Sequence, residues 1–147
     1  MGNMKTLAFL LTAAVAMMVP VGGAHAAGAL AVGVPDDVAK DGISLFGAVQ
    51  AKTVAAARED ALEGCRKTKS AKLRMLCKIV GTFSNQCVAQ AMDPQNGTPG
   101  YGWAIADTAD EARKQAVAKC RNTAGPTRQD ACTAGDVSCD GTARGTE

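Results

Sequence analysis

Residues 46–77, FGAVQAKTVAAAREDALEGCRKTKSAKLRMLC, and residues 101–132, YGWAIADTADEARKQAVAKCRNTAGPTRQDAC, align without a gap at a constant offset of 55. Ten of the 32 positions are identical, and they include Gly47/Gly102, Thr53/Thr108, Ala57/Ala112, Ala61/Ala116, Cys65/Cys120 and Cys77/Cys132. A block of this length is one supersecondary unit used twice. Within it, Thr, Ala, Ala and Cys recur every four residues (Thr53, Ala57, Ala61, Cys65 and their counterparts), which draws one stripe of small side chains along a helix. Such a stripe lets a helix lie close on a sheet. Thr53 and Thr108 are suited to cap these helices, and Thr108-Ala109-Asp110-Glu111 has the capping-box pattern.

Working outward, short apolar runs suit strands at residues 45–51 and 101–106 before each helix, and at 76–83 and 131–139 after it. A further strand precedes each block, at residues 29–34 and 87–92, followed by turn-rich segments carrying Pro, Gly, Asp and Asn. The expected fold is α+β: a single disulfide-braced domain of two tandem strand-strand-helix-strand repeats, about 29–83 and about 87–139, with the helices packed on antiparallel sheet. Residues 140–147 carry no apolar pattern and read as a disordered tail.

Residues 1–26 read as a cleavable signal peptide, with Lys5 before an apolar run and Ala24-His25-Ala26 as the cleavage site. The apolar run is shorter than the roughly 20 residues a membrane-spanning helix needs, so a periplasmic or extracellular protein without a membrane span is expected. Removing the leader takes Lys5 alone from the 16 basic and 14 acidic residues, so net charge names no partner and no nucleic acid is expected.

Six cysteines in an exported chain suggest three disulfides. The repeat makes Cys65/Cys77 and Cys120/Cys132 equivalent pairs, leaving Cys87 with Cys139. Loop-closure entropy makes each short bridge worth about 3 kcal/mol and the long one about 4 kcal/mol.

The motifs Cys87-Val88-Ala89-Gln90-Ala91, Tyr101-Gly102-Trp103, Ala61-Leu62-Glu63-Gly64-Cys65 and Cys77-Lys78-Ile79-Val80 resemble, in order and cysteine placement, the bacterial family called domain of unknown function 4189. The resemblance covers residues 29–139. It implies export and a disulfide-held α+β domain, and it brings no catalytic residues.

The sole histidine, His25, falls in the leader, so imidazole chemistry is absent from the expected mature chain. With the cysteines paired, no cofactor or metal is expected, and only carboxylates remain for catalysis. Asp36, Asp37 and Asp41 cluster in a turn, and Asp107, Asp110 and Glu111 begin the second helix. Both groups read better as turn formers and helix N-terminal charges. Arg66, Lys67, Lys69, Lys72, Arg74 and Lys78 form a basic loop without an acid, able to meet an anionic surface or an acidic partner. Tyr101 and Trp103, two apart on a strand, face one side and are candidate interface aromatics.

The leading expectation is a non-enzymatic exported binding or interaction protein whose partner is another exported or host protein, acting as inhibitor, immunity-type partner or effector. Its alternatives are a carboxylate-based glycan-acting enzyme and an anion- or envelope-binding protein using the basic loop. Free strand edges also allow dimerisation.

Overall fold

A computed structural model describes residues 26–143. The leader, apart from Ala26, and residues 144–147 lie outside it. The chain runs β1 (Ala27–Gly33), α1 (Val38–Asp41), β2 (Ser44–Ala51), α2 (Val54–Arg66), α3 (Ala71–Leu76), β3 (Lys78–Phe83), β4 (Cys87–Met92), β5 (Tyr101–Ala106), α4 (Ala109–Thr123) and β6 (Thr133–Cys139), with a single 3-10 turn at Gln129–Ala131. The strands form two antiparallel three-stranded sheets, ordered β2-β1-β3 and β5-β4-β6. Each copy of the repeat thus builds its own sheet around its own first strand.

Alternation along the strands sorts the core into layers. On β1, Ala27, Ala29 and Ala31 meet Ala57, Ala61 and Cys65 of α2. On β4 and β5, Cys87, Ala89, Ala91, Ala104 and Ala106 meet Ala112, Ala116 and Cys120 of α4. The opposite strand faces supply Leu30, Val32, Phe83 and Val88, with Val49, Trp103 and Ile105 against them, as one cluster drawn from both sheets. The order of layers is therefore helix, sheet, sheet, helix. Small residues fill the helix-sheet layers and the larger apolar ones fill the space between sheets, because a helix on a sheet can approach closely only over small side chains.

Both long helices start at their threonines. Thr53 Oγ1 accepts from the Ala56 amide at 3.1 Å and Thr108 Oγ1 from the Glu111 amide at 3.2 Å. The carboxylate of Glu111 accepts instead from Gln115 Nε2 at 3.1 Å.

Strand register shows where the gapless alignment misleads. In the second copy Cys87 faces Ala106 and Ala89 faces Ala104. In the first, Ala27 faces Ala51 but Ala29 faces Ala48, so one extra residue is spliced into β2. Gln50 sits at that bulge with φ 61, in the left-handed region. Before the bulge every side chain is displaced by one place, which reverses its face. Gly102 faces α4, where an added Cβ would lie 2.4 Å from the Ala116 carbonyl oxygen, while Gly47 faces the other sheet, against Val88. The spatial counterpart of Gly102 is Phe46. The third strands, by contrast, share a bulge: register shifts between Leu30 and Ala31 in one sheet and between Ala89 and Ala91 in the other.

Disulfides join Cys65 to Cys77, Cys120 to Cys132 and Cys87 to Cys139. The first two tie the end of each long helix to the start of the next strand, each with a Cα separation of 5.9 Å. The third joins residues directly opposite on β4 and β6. Three disulfides mark a non-cytoplasmic protein. Among the described residues no helix is long and apolar enough to cross a membrane.

Asp140, assigned to the tail by sequence, is fully buried. Its amide donates to the Gln86 carbonyl at 2.8 Å, and its Oδ1 accepts from the Gln50 amide at 2.7 Å. Gln50 Nε2 also donates to the Cys139 carbonyl at 3.2 Å. The bulge of the first copy is thus bolted to the end of the second. Asn85, likewise at positive φ (54), accepts from the Thr142 amide at 3.0 Å.

Candidate functional site

Strand β5 is the outer strand of its sheet, and the end of α4 covers its first residue. Thr123 Oγ1 accepts from the Tyr101 amide at 2.8 Å, and its proton lies between the Tyr101 carbonyl (2.7 Å) and the Cys120 carbonyl (2.9 Å). Tyr101 and Trp103 share a face of β5, and their rings stack with centroids 5.9 Å apart. Both are half-buried, and Trp103 reaches the inter-sheet cluster. They are neither pure core nor a free platform.

Two hollows meet at Tyr101 and Thr123. One, of about 340 Å³, is lined by Tyr101, Gly102, Trp103, Lys119, Asn122 and Thr123. The other, of about 460 Å³, is lined by Pro35, Asp36, Asp37, Val38, Pro99, Tyr101 and Thr123. The structure therefore brings the aspartate turn beside the aromatic pair. Asp37 Oδ1 accepts from the Lys40 amide at 3.0 Å as the cap of α1, so Asp36 is the carboxylate not spent on that cap. The two adjoining hollows thus gather the aromatic pair, the Asp36–Asp37 turn and Lys119 around β5 and the end of α4, as a groove. Such a surface can hold a flat or ring-shaped group by stacking and orient it by polar contacts.

The basic loop is not a loop throughout. Residues 71–76 form α3, capped by Ser70, whose Oγ accepts from the Leu73 amide at 3.3 Å. Its cations also divide. Lys72 Nζ lies 2.5 Å from Asp41, whose hydrogen bond raises the lysine pKa. Lys67 pairs with Glu63 at 3.3 Å across one exposed helical turn. Arg74 donates to the carbonyls of Thr68 and Lys69, both at 3.0 Å, and so holds the loop together. Arg66, Lys69 and Lys78 are exposed and have no ion pair among the described residues. At the start of α4, Asp110 approaches Arg113 at 3.5 Å and Asp107 accepts from Gln86 Nε2 at 2.9 Å. Among the described residues no group of three or more His, Cys, Asp or Glu is placed to hold a metal ion.

The strongest electrostatic contact escaped the sequence reading. Arg128 forks onto Asp93, Nε to Oδ2 at 2.5 Å and a terminal nitrogen to Oδ1 at 2.8 Å. The Asp93 side chain has no exposed surface. This guanidinium, helped by the Gln95 amide, lowers the Asp93 pKa to about 2 despite the opposing effect of burial. The available signal was the alignment itself, which sets Arg128 against the apolar Leu73.

No curated protein and no solved structure matches the chain. Residues 27–139 match the family described as Domain of unknown function (DUF4189), and the chain belongs to that family.

Proposed function

We propose that this is a non-enzymatic binding protein of the periplasm or cell exterior, with its ligand groove at Tyr101 and Trp103. In this reading it engages another exported protein, or a host protein, as an inhibitor, immunity-type partner or effector. The carrying observation is the stacked aromatic pair on β5, the outer strand of a sheet whose other two strands are joined by the Cys87–Cys139 disulfide, with Asp36 and Lys119 lining the hollows beside it. Aromatic anchors with polar flanks are what binding surfaces use. Trp103 is the only tryptophan, so it reports occupancy of its own site. Titration of the oxidised protein with fractionated envelope, culture and host extracts should give a saturable change in tryptophan fluorescence, lost in Tyr101→Ser. No change with any fraction, or an unaltered change in Tyr101→Ser, overturns the proposal.

A glycan-acting enzyme keeps one observation in its favour, the pair Asp36 and Asp37 beside an aromatic ring. Asp37 is already engaged as a helix cap, and Asp93, the carboxylate with a displaced pKa, is moved down, the wrong direction for a general acid. Release of new reducing ends from envelope glycan, abolished by Asp36→Asn, would favour the enzyme over the binding protein.

A further inference from the structure

Helix α3 buries only Leu73, leaving Met75 82 % exposed and Leu76 37 % exposed. Val80, on the edge strand that follows, is 39 % exposed. Isolated apolar side chains on a surface are ordinary, but these three fall within six residues and among cations. Arg66, Lys69 and Lys78, close to them in sequence, are exposed and have no ion pairs among the described residues. The segment is held rigid, since the Cys65–Cys77 disulfide closes it and Arg74 staples its interior carbonyls.

The second copy is a built-in control. Its Cys120–Cys132 disulfide closes the equivalent segment, yet Asp130 stands at the place of Met75, Ala131 at Leu76, Thr133 at Lys78 and Gly135 at Val80. Folding the unit therefore requires neither the exposed methionine nor Lys69 and Lys78, whose counterparts are Ala124 and Thr133, whereas Arg66 keeps a cationic counterpart in Arg121.

We propose that α3 and its flanks form a docking surface for an anionic lipid bilayer. Cations alone would suit any polyanion. A protruding methionine with apolar neighbours, set among cations, matches the two layers of an anionic bilayer, because it can leave water for the acyl boundary while the lysines and arginine stay at the headgroups. None of Arg66, Lys69, Met75, Leu76, Lys78 and Val80 lines the Tyr101 groove, although the acidic turn of that groove, with Asp41, acts on Lys72 of α3.

The test is co-sedimentation of the oxidised protein with vesicles of phosphatidylcholine, with or without phosphatidylglycerol. Binding should require phosphatidylglycerol and weaken as salt is raised. Losing the Met75 side chain from the acyl boundary should cost about tenfold in affinity in Met75→Asp. Lys69→Gln combined with Lys78→Gln should also weaken binding, and thermal melting of both variants should match the parent. Equal binding to vesicles without phosphatidylglycerol, unaltered binding by Met75→Asp, or no binding at all would overturn it. Equally tight binding of a soluble polyphosphate by parent and Met75→Asp, with no vesicle preference, would make the segment a general polyanion site instead.

Discussion

The two copies solve the same packing problems with different chemistry. Near the short disulfide, the second copy sets a buried Asp93 against Arg128, whose side chain is one-third exposed. The first has Gly33 and Leu73 at those places, with Leu73 buried and its carbonyl 2.7 Å from where a Gly33 Cβ would lie. Against the long helix, the second copy sets Gly102 under Lys119, and the first sets Phe46 under Gly64. One small and one large residue fill the gap in both, with strand and helix exchanging roles. At the end of the sheet, the Cys87–Cys139 bridge has Ala27 and Ser84 as counterparts, and Ser84 Oγ donates to the Ala26 carbonyl at 2.9 Å. What the duplication kept is volume and backbone path. Which atoms supply them drifted freely, because packing constrains total volume more tightly than residue identity.

Removing covalent bonds should break this comparison most strongly. Cys87→Ser with Cys139→Ser should cost about 4 kcal/mol, against about 3 kcal/mol for either short bridge, by the loop-entropy relation. Denaturant melts of the three double variants give the ranking, and a smaller loss for the long bridge would show that the second sheet closes without it. The converse change, Ala27→Cys with Ser84→Cys, should oxidise to a fourth disulfide and raise the midpoint. Mass spectrometry of the unreduced protein tells whether the two ends really correspond.

Next in size is the plug under the first disulfide. Leu73→Ala empties a buried site and should cost about 3 kcal/mol at all pH values. The Asp93–Arg128 pair differs by being titratable. Its folded pKa, about 2, lies below the ordinary 3.8, so its stabilisation is complete above that ordinary value and is lost as pH falls through the folded one. The parent should therefore lose stability between about pH 4 and pH 2 more steeply than Asp93→Asn, with melting curves taken at each pH. Superimposable acid limbs would mean that the ion pair adds nothing.

Smaller effects concern the seam between copies. Asp140→Ala strands the Gln50 amide without its acceptor and should cost about 1–3 kcal/mol. Asp140→Asn keeps that acceptor and should sit near the parent, since Asp140 Oδ2 has no partner among the described residues. Gln50→Gly relieves a left-handed backbone conformation but loses the bond to the Cys139 carbonyl. The change should stay within about 1 kcal/mol. A large loss there, read by thermal melting, would make the side chain rather than the bulge the essential part.

Much of the fold was legible because it is local. Strands β4 and β5 have the bounds their apolar runs suggest, and both helices begin at their threonines. Helix α3 was hidden by its composition, since four of the residues in 71–76 are Ala, Leu and Met at no clear period, set among cations. The candidate groove was half legible: Tyr101 and Trp103 stand out on β5, but the return of the Pro35–Val38 segment to their side is a long-range contact. Asp140 was misjudged for the same reason, because a polar residue near the chain end carries no local sign of being buried between copies.

By itself the sequence determined the unit, its twofold use and the pairing of equivalent cysteines, all of which depend on near-neighbour spacing, periodicity and capping. Only the tertiary structure decided that six strands divide into two facing sheets, that a bulge at Gln50 turns the strand before it over, and that Arg128 meets a buried Asp93 where its twin is a leucine. Those outcomes rest on how volumes and charges meet across the core, and a side chain's face or partner is fixed there by residues far away in the chain.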